Sequence, residues 1–356
     1  MDYKRLGDYI EPVDERNSKL EIKLSQGICN EKYFQDPRQV AENSAADKIV
    51  RRGYFAYNRA TTRNGEKISI AYREEPDCTV SSAYQVFRIK DEEKLNPKYL
   101  LMWYKRPDFD KYARFRSHGS AHEFFEYEEM CDVRIPLPSI ERQREIVSEY
   151  ETLSLRIRLN NQMIQHLEAT AQALYRKTFV DNIDKENLPE GWKMGTIGDM
   201  LELQRGFDLP SQARVDGKYP IYTSTGIAEY HNEYKVEPPC IVTGRSGTIG
   251  EVFYSNEKCW PLNTTLWVKD FKGTPSFFVY YKLKELDLGK TVSGFAAVPT
   301  LNRNDVHMME TVVPPKDILL EFDSQMQIIH NNLCCIEQEN EKLTELQSLL
   351  LAKMGQ

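Results

Sequence analysis

The 356-residue chain predicts a mixed α/β protein in which two globular domains alternate with two long helices that pair as a coiled coil. Three observations carry that prediction. An internal repeat runs through most of the chain at an offset near 176 residues. A strict 4,3 spacing of apolar residues follows each copy. Short strand-like and helix-like stretches, punctuated by Gly and Pro, alternate within each copy. Length points the same way, at roughly 100–200 residues per domain.

In the first copy, residues 48–57 and 79–90 read as strands, and a helix is expected near 97–115, with Asn96 as N-cap and Pro97 at the first helical position. In the second, residues 219–223, 240–243, 248–254 and 264–268 are short strand candidates, and Thr274-Pro275 opens a helix near 275–287. Leu6-Gly7-Asp8 answers Ile197-Gly198-Asp199 at offset 191, and Ile135-Pro-Leu-Pro138 answers Val312-Val-Pro-Pro315 at offset 177. Gly119 answers Gly294 at offset 175.

Each copy ends in a heptad seam. The first uses Ile146, Tyr150, Leu153, Ile157, Asn160, Ile164, Leu167, Ala171, Leu174 and Thr178; the second uses Phe322, Met326, Ile329, Leu333, Ile336, Asn340, Leu343, Gln347 and Leu350. Each holds one central Asn, the residue that sets register at a cost in stability. Two seams of equal length in one chain are most simply satisfied by each other. The division expected is a domain over 1–138, a helix over 139–180, a linker over 181–187, a domain over 188–315 and a helix over 316–356.

Composition bounds the function. Lys plus Arg number 47 against 54 Asp plus Glu, a net charge of −7, which argues mildly against nucleic acid. The excess acid is local: residues 1–140 balance at zero, while 181–315 and 316–356 carry −4 each. No apolar run approaches the ~18–20 residues of a membrane span. The N-terminus lacks a secretory apolar core, and seven Cys without a CxxC fit reduced thiols, so a cytoplasmic location is expected.

Basic residues cluster at Lys48, Arg51, Arg52, Arg59, Arg63 and Lys67, interleaved with Tyr54, Tyr57 and Asn58, and again from Lys105 to Arg116. Arg and Lys suit phosphates and guanine edges, and Asn suits adenine. Either cluster alone reads as a solvated face. In the second copy the corresponding stretches are polar: Gln204-Arg205-Gly206, Tyr222-Thr-Ser-Thr-Gly226, Gly244-Arg-Ser-Gly-Thr-Ile-Gly250 and Lys290-Thr-Val-Ser-Gly294. Hairpin turns account for these by themselves, and Gly244 to Gly250 lacks the Lys-Ser/Thr of a P-loop.

The sequence holds no convincing catalytic constellation. Glu237-Pro-Pro-Cys240 lacks the amide or acid and the aromatic of an amino-methyltransferase motif, His122-Glu123 has Glu126 where a zincin needs His, and Cys334-Cys335 sits in a helical pattern. No catalytic residue, metal or cofactor is assigned, which favours a binding protein.

Several phrases then carry a family resemblance: Ile140-Glu-Arg-Gln-Arg-Glu-Ile-Val147, Leu159-Asn-Asn-Gln-Met-Ile-Gln-His-Leu167, Ala171-Gln-Ala-Leu-Tyr175 with Phe179-Val-Asp181, Leu188-Pro-Glu-Gly-Trp192, Tyr219-Pro-Ile-Tyr222, Asn340-Glu-Lys-Leu343 and Leu349-Leu-Leu-Ala-Lys-Met354. With the order domain, helix, domain, helix, they resemble the specificity subunit of type I restriction–modification enzymes. Where the family usually carries a Leu-Pro-x-Gly-Trp-like leader before its first domain, this sequence has Tyr3-Lys-Arg-Leu-Gly-Asp8.

The resemblance implies a non-catalytic DNA-reading subunit. Each globular half would be a target recognition domain for one half of a bipartite, asymmetric site in double-stranded DNA. The helices would pack antiparallel, set the spacing and dock adenine methyltransferase subunits, with an ATP-dependent translocase-nuclease completing the complex. A helix pair of about 48 Å matches about 14 base-pair steps.

The DNA-binding set carried forward is Arg51, Arg52, Tyr57, Asn58, Arg59, Arg63, Arg116, His118 and Ser120 in the first half, and Arg205, Ser224, Thr225, Arg245, Ser246, Thr248 and Lys290 in the second. The helix positions assigned to subunit interfaces are Ile146, Leu153, Ile157, Asn160, Ile164, Leu167, Ile329, Ile336, Asn340 and Leu343. The alternatives are a protein-binding coiled-coil scaffold or regulator without DNA reading, and a self-standing methyltransferase.

Overall fold

The computed structural model describes residues 3–37, 44–60, 67–118, 123–289 and 300–355. The chain forms two compact units, one of residues 1–160 with 338–356, the other of residues 161–337.

The first unit contains β1 (Tyr3–Arg5), β2 (Ile10–Val13), β3 (Gly27–Ile28), β4 (Phe34–Gln35), β5 (Lys48–Val50), β6 (Phe55–Asn58), β7 (Ile70–Tyr72), β8 (Cys78–Val80), β9 (Tyr84–Ile89), α1 (Pro97–Tyr104), α2 (Pro107–Phe115), α3 (Tyr127–Cys131) and β10 (Arg134–Pro136). The long helix α4 (Ile140–Phe179) starts here. The second contains β11 (Lys193–Thr196), α5 (Ile197–Met200), β12 (Glu202–Arg205), β13 (Tyr219–Thr223), β14 (Gly226–His231), β15 (Cys240–Gly244), β16 (Val252–Ser255), β17 (Trp260–Pro261), β18 (Thr265–Asp270), α6 (Ser276–Glu285), α7 (Arg303–His307) and β19 (Glu310–Val313), and α8 (Lys316–Lys353) starts in it.

The repeat is structural. The central sheet of the first unit has the order β2-β9-β6-β7, and that of the second β12-β18-β15-β16, with antiparallel pairing throughout. β1 pairs with β10 as β11 pairs with β19. Leu6 N–H donates to Val133 O at 2.8 Å, and Ile197 N–H to Met309 O at 3.0 Å. The shared glycine has a steric reason. A Cβ on Gly7 would stand 2.7 Å from Cys131 Cβ, and one on Gly198 would stand 3.0 Å from the His307 carbonyl oxygen. In each unit the short helix, α3 or α7, ends against that glycine, so a side chain there forces the two apart.

Several expected elements are broken more finely than periodicity suggested. The strand over 48–57 is two strands, turned at Arg52-Gly53, where Gly53 has φ +92°. The strand over 79–90 is β8 and β9, separated by a turn at Ser81 to Ala83. The helix near 97–115 splits into α1 and α2 because Pro107 has no N–H to continue α1 and is placed at the first position of α2. Asn96 caps α1 as expected, accepting from Lys98 N and Tyr99 N, but α6 begins after Pro275 with no side-chain cap.

The 4,3 positions of α4 and α8 are all buried or half-buried, while the positions between them are largely exposed. Within the first unit the two helices run antiparallel: Gln347 Nε2 donates to Ser154 Oγ at 2.6 Å, and Asn160 Nδ2 to Asn340 Oδ1 at 3.0 Å. Within the second, Tyr175 and Phe179 of α4 meet Phe322 of α8 at 6.0 and 5.0 Å between ring centroids. Each globular part closes onto both helices: Ile146, Val147 and Met354 join the core of Phe55, Phe87, Trp103 and Tyr104, while Ala171, Tyr175, Phe179, Phe322 and Met326 join that of Leu203, Leu266 and Phe278. Gln143, fully buried, fixes the start of α4. Its side chain accepts from Asn96 N and donates to Lys94 O and Pro138 O.

A polar cluster interrupts the seam. Asn160, 3 % exposed, also donates to Glu339 Oε2 at 2.8 Å, and Arg156 grips the same carboxylate through Nε and Nη2. Truncation of Asn160 to Ala should lower stability by about 1–2 kcal/mol, because Asn340 and Glu339 keep their polar groups and lose a donor. Paired Asn160→Leu and Asn340→Leu substitutions should restore or exceed wild-type stability. Urea unfolding of the three proteins checks this.

A second feature gives the fold a pH dependence. His330 stacks on Phe277 at 4.4 Å and lies beside Tyr254 at 5.2 Å, and burial pushes its imidazole down to about 4. The folded-state value is below the unfolded value of about 6.5, so the unfolded chain binds the proton first. The contribution is therefore full above about pH 6.5 and is lost as pH falls toward 4. Thermal melting of His330→Leu should show a flatter decline over that window than the wild type.

Candidate nucleic-acid interface

In the second unit, loops at one edge of the central sheet converge. Arg205 ends β12, and its Nε donates to Asn263 O at 3.4 Å, while Asn263 Nδ2 donates to Asp208. Arg245 N and Ser246 N both donate to Thr264 O, at 2.9 and 3.2 Å, and Leu301 N donates to Arg245 O at 2.8 Å. Ser224 and Thr248 join through Gly244, where an added Cβ would lie 1.9 Å from Thr248 O and 3.1 Å from Ser224 Cβ. Thr225 is exposed, with its N–H on Thr223 Oγ1 at 3.3 Å. The structure thus brings Arg205, Ser224, Thr225, Arg245, Ser246 and Thr248 onto one polar edge. Such an edge offers hydroxyl and guanidinium donors together with the Asp208 and Asn263 acceptors, a set able to address phosphates and base edges.

The first unit is divided. Asn58 ends β6 and Arg59 follows it, where Phe125 N donates to Arg59 O at 2.9 Å and Ala60 bridges to Phe124. His118 also bridges to Phe124, and Arg116 precedes it, so Asn58, Arg59, Arg116 and His118 share one edge. Arg51 and Arg52 lie in the turn between β5 and β6, at the other end of β6. There Arg51 pairs with Glu15 and, at 3.0 Å, with Asp77, whose other oxygen accepts from Arg52 N at 2.9 Å. The basic cluster of the sequence therefore splits across the sheet, because a four-residue strand separates its parts. Tyr57 is also corrected: its ring is fully buried between Phe87 and Phe125, where alternation along β6 turns it into the core. Arg63, Ser120 and Lys290 lie outside the described residues.

The first edge is internally neutralised. Arg59 Nη1 pairs with Glu126 at 3.1 Å, Arg114 with Glu123 at 3.0 Å, and Arg116 with Glu129 and, at 3.9 Å, Asp132. The Glu129 carboxylate beside Arg116 raises the guanidinium above its ordinary pKa. Sequence reading missed these acids, and Asp208 and Asn263, because it followed basic and Gly-rich stretches. The acids lie up to 67 residues away in sequence, as for Arg59 and Glu126.

The helix positions Ile146, Leu153, Ile157, Asn160, Ile164, Leu167, Ile329, Ile336, Asn340 and Leu343 are buried or half-buried along the seam. Asn160 and Asn340 join the two helices directly, while Ile146 and Ile329 pack on the globular cores. Leu155, Leu159, Leu346 and Leu349 are exposed instead.

The family described as the type I restriction modification DNA specificity domain matches residues 46–169 and 189–348. The MjaIX type I restriction enzyme specificity subunit of Methanocaldococcus jannaschii is 23% identical over 296 residues, covering 72% of this chain and 68% of its own. The HindI specificity subunit of Haemophilus influenzae is 19% identical, covering 87% of each chain. Among solved structures, the type I restriction–modification S subunit from M. genitalium shares the fold with a TM-score of 0.64 at 14% identity, covering 100% of this chain and 96% of that one. A chain from a study of complex assembly and conformational transition in a type I system shares it at 0.55 and 17%, covering 100% and 97%. With both repeats matched, the chain belongs to the type I restriction–modification DNA specificity family, and its role is DNA sequence recognition.

Proposed function

We propose that each unit reads one half of a bipartite, asymmetric site in double-stranded DNA, and that the chain performs no catalysis itself. The observation that carries this reading is the repeated four-stranded topology, which supports one polar loop edge in each unit. The edges carry different side chains, Asn58, Arg59, Arg116 and His118 in one and Arg205, Ser224, Thr225, Arg245, Ser246 and Thr248 in the other, so the half-sites should differ. The domain limits expected from sequence, 1–138 and 188–315, are the segments to which we assign reading. No helix among the described residues is long and apolar enough to cross a membrane, and we place the chain's work in the cytoplasm with the DNA.

Partner docking falls to the outer helix faces, where Leu346 and Leu349 are exposed beside the half-buried seam residues Leu153 and Leu350. A groove of about 580 Å³ is lined by Thr152, Leu153, Leu346, Leu349 and Leu350 in the first unit. An exposed apolar surface of this kind suits a protein partner, and we assign it to a methyltransferase subunit, with the translocase-nuclease joining through the assembled complex.

Binding of the chain–methyltransferase complex to labelled duplexes tests the reading. Arg245→Ala should weaken binding to the specific site by about 1–3 kcal/mol, five- to 150-fold, and relax preference in one half only. Equal weakening on scrambled duplexes would make Arg245 a non-specific contact. Leu346→Glu with Leu349→Glu should abolish co-purification of the methyltransferase while leaving the melting temperature within a few degrees; retention of the partner would exclude the groove. Adding one heptad to both helices, after Ile157 and at the matching level before Leu343, lengthens the pair by about 10.5 Å and should widen the unread gap by about three base pairs.

A further inference from the structure

The two reading edges are built alike, and each holds an arginine–carboxylate pair, Arg205 with Asp208 at 3.8 Å in the second, but they differ at one equivalent arginine. Arg59 O accepts from Phe125 N as Arg245 O accepts from Leu301 N, and Ala60 bridges to Phe124 as Ser246 bridges to Thr300. Arg59 and Arg245 therefore hold equivalent places. The next residues in the returning segments, Glu126 and Asn302, are equivalent too, as N-caps of α3 and α7.

The caps do different work. Asn302 Oδ1 accepts from Asn304 N at 3.0 Å, an ordinary N-cap bond. Glu126 makes no cap bond. Its carboxylate instead takes Arg59 Nη1 at 3.1 Å, while Arg59 Nε donates to Ala83 O at 3.3 Å and its guanidinium stands over Phe124 at 5.8 Å. Among the described residues no carboxylate pairs with Arg245, and the stretch of sequence just before Thr300, residues 290–299, contains Lys290 and no acid.

We infer that Glu126 screens the first reading edge: its carboxylate occupies Arg59 until a DNA phosphate displaces it, whereas Arg245 is open to DNA from the outset. This rests on the DNA-reading function proposed above. The Arg59 and Glu126 side chains are 36% and 47% exposed, so phosphate can reach the pair and water already weakens it. Exchange of one carboxylate for one phosphate neutralises no additional charge. Arg59 then contributes little to counterion release, and the first edge binds with a shallower salt dependence than its arginines suggest.

The test uses the full chain in complex with its methyltransferase, and a duplex carrying the site mapped by methylation sequencing, with a scrambled duplex as control. Glu126→Gln should bind the site about three- to tenfold tighter at ~50 mM salt, with the slope of log K against log salt steeper by about 0.9, one phosphate's share. Adding Arg59→Ala should remove that gain. In the second unit, Asn302→Glu should weaken binding about three- to tenfold and flatten the slope, whereas Asn302→Gln, which also alters the cap but adds no charge, should leave the slope unchanged. Unchanged affinity and slope in Glu126→Gln, or a gain that survives Arg59→Ala, would overturn the inference while a wild-type preference for the mapped site left the reading function standing. A wild-type complex without that preference would overturn the reading function itself, and the inference with it.

Discussion

The 4,3 apolar seam between α4 and α8 is the interaction on which the rest of the structure depends. Neither globular part closes its core alone. The first borrows Ile146, Val147 and Met354, and the second borrows Ala171, Tyr175, Phe179, Phe322 and Met326. Each buried Leu, Ile or Phe in such a contact contributes about 1.5–3 kcal/mol, so helix pairing and domain folding reinforce one another. Asn160, Asn340, Glu339 and Arg156 interrupt that surface with a matched polar set. Apolar seams tolerate sliding by a heptad. A buried amide with a fixed partner does not, so this cluster supplies register at some expense of stability.

Because each unit is anchored to both helices, the repeat can vary where it does not touch the seam. The sheet, its order and the glycine against the short helix are kept in both copies. The loop edges differ in charge and in hydrogen-bonding groups. A conserved frame with divergent edges is what two different half-sites require, since phosphate contacts position a protein and base contacts specify the sequence. The net charge of −7 is compatible with this role because the arginines at issue are held locally, several of them by acids.

The features legible in the sequence were those governed by local spacing. The heptad positions from Ile146 to Thr178 and from Phe322 to Leu350 are all buried or half-buried, because a helix converts sequence interval directly into direction. The Leu6-Gly7-Asp8 and Ile197-Gly198-Asp199 match had a steric cause that only the three-dimensional contacts with Cys131 and His307 reveal. Reading of the site was less complete. Tyr57 looked like an interface aromatic but sits on the inward side of β6, a face fixed by sheet register. Arg51 and Arg59 looked like one cluster but stand at opposite ends of that strand. Their acidic partners Glu15, Asp77 and Glu126 come from distant segments, and pairing over such separations leaves no periodic signal.

The central claim is that two units of like topology read two different sequences, and we propose that the helix pair fixes the length of DNA between those sequences. Methylation sequencing of DNA from cells carrying this chain and its methyltransferase partner tests it most directly. The account predicts a methylated motif of two dissimilar specific parts divided by a gap of fixed length and free sequence. A single continuous motif, two identical half-motifs, or a gap that varies from site to site would contradict it.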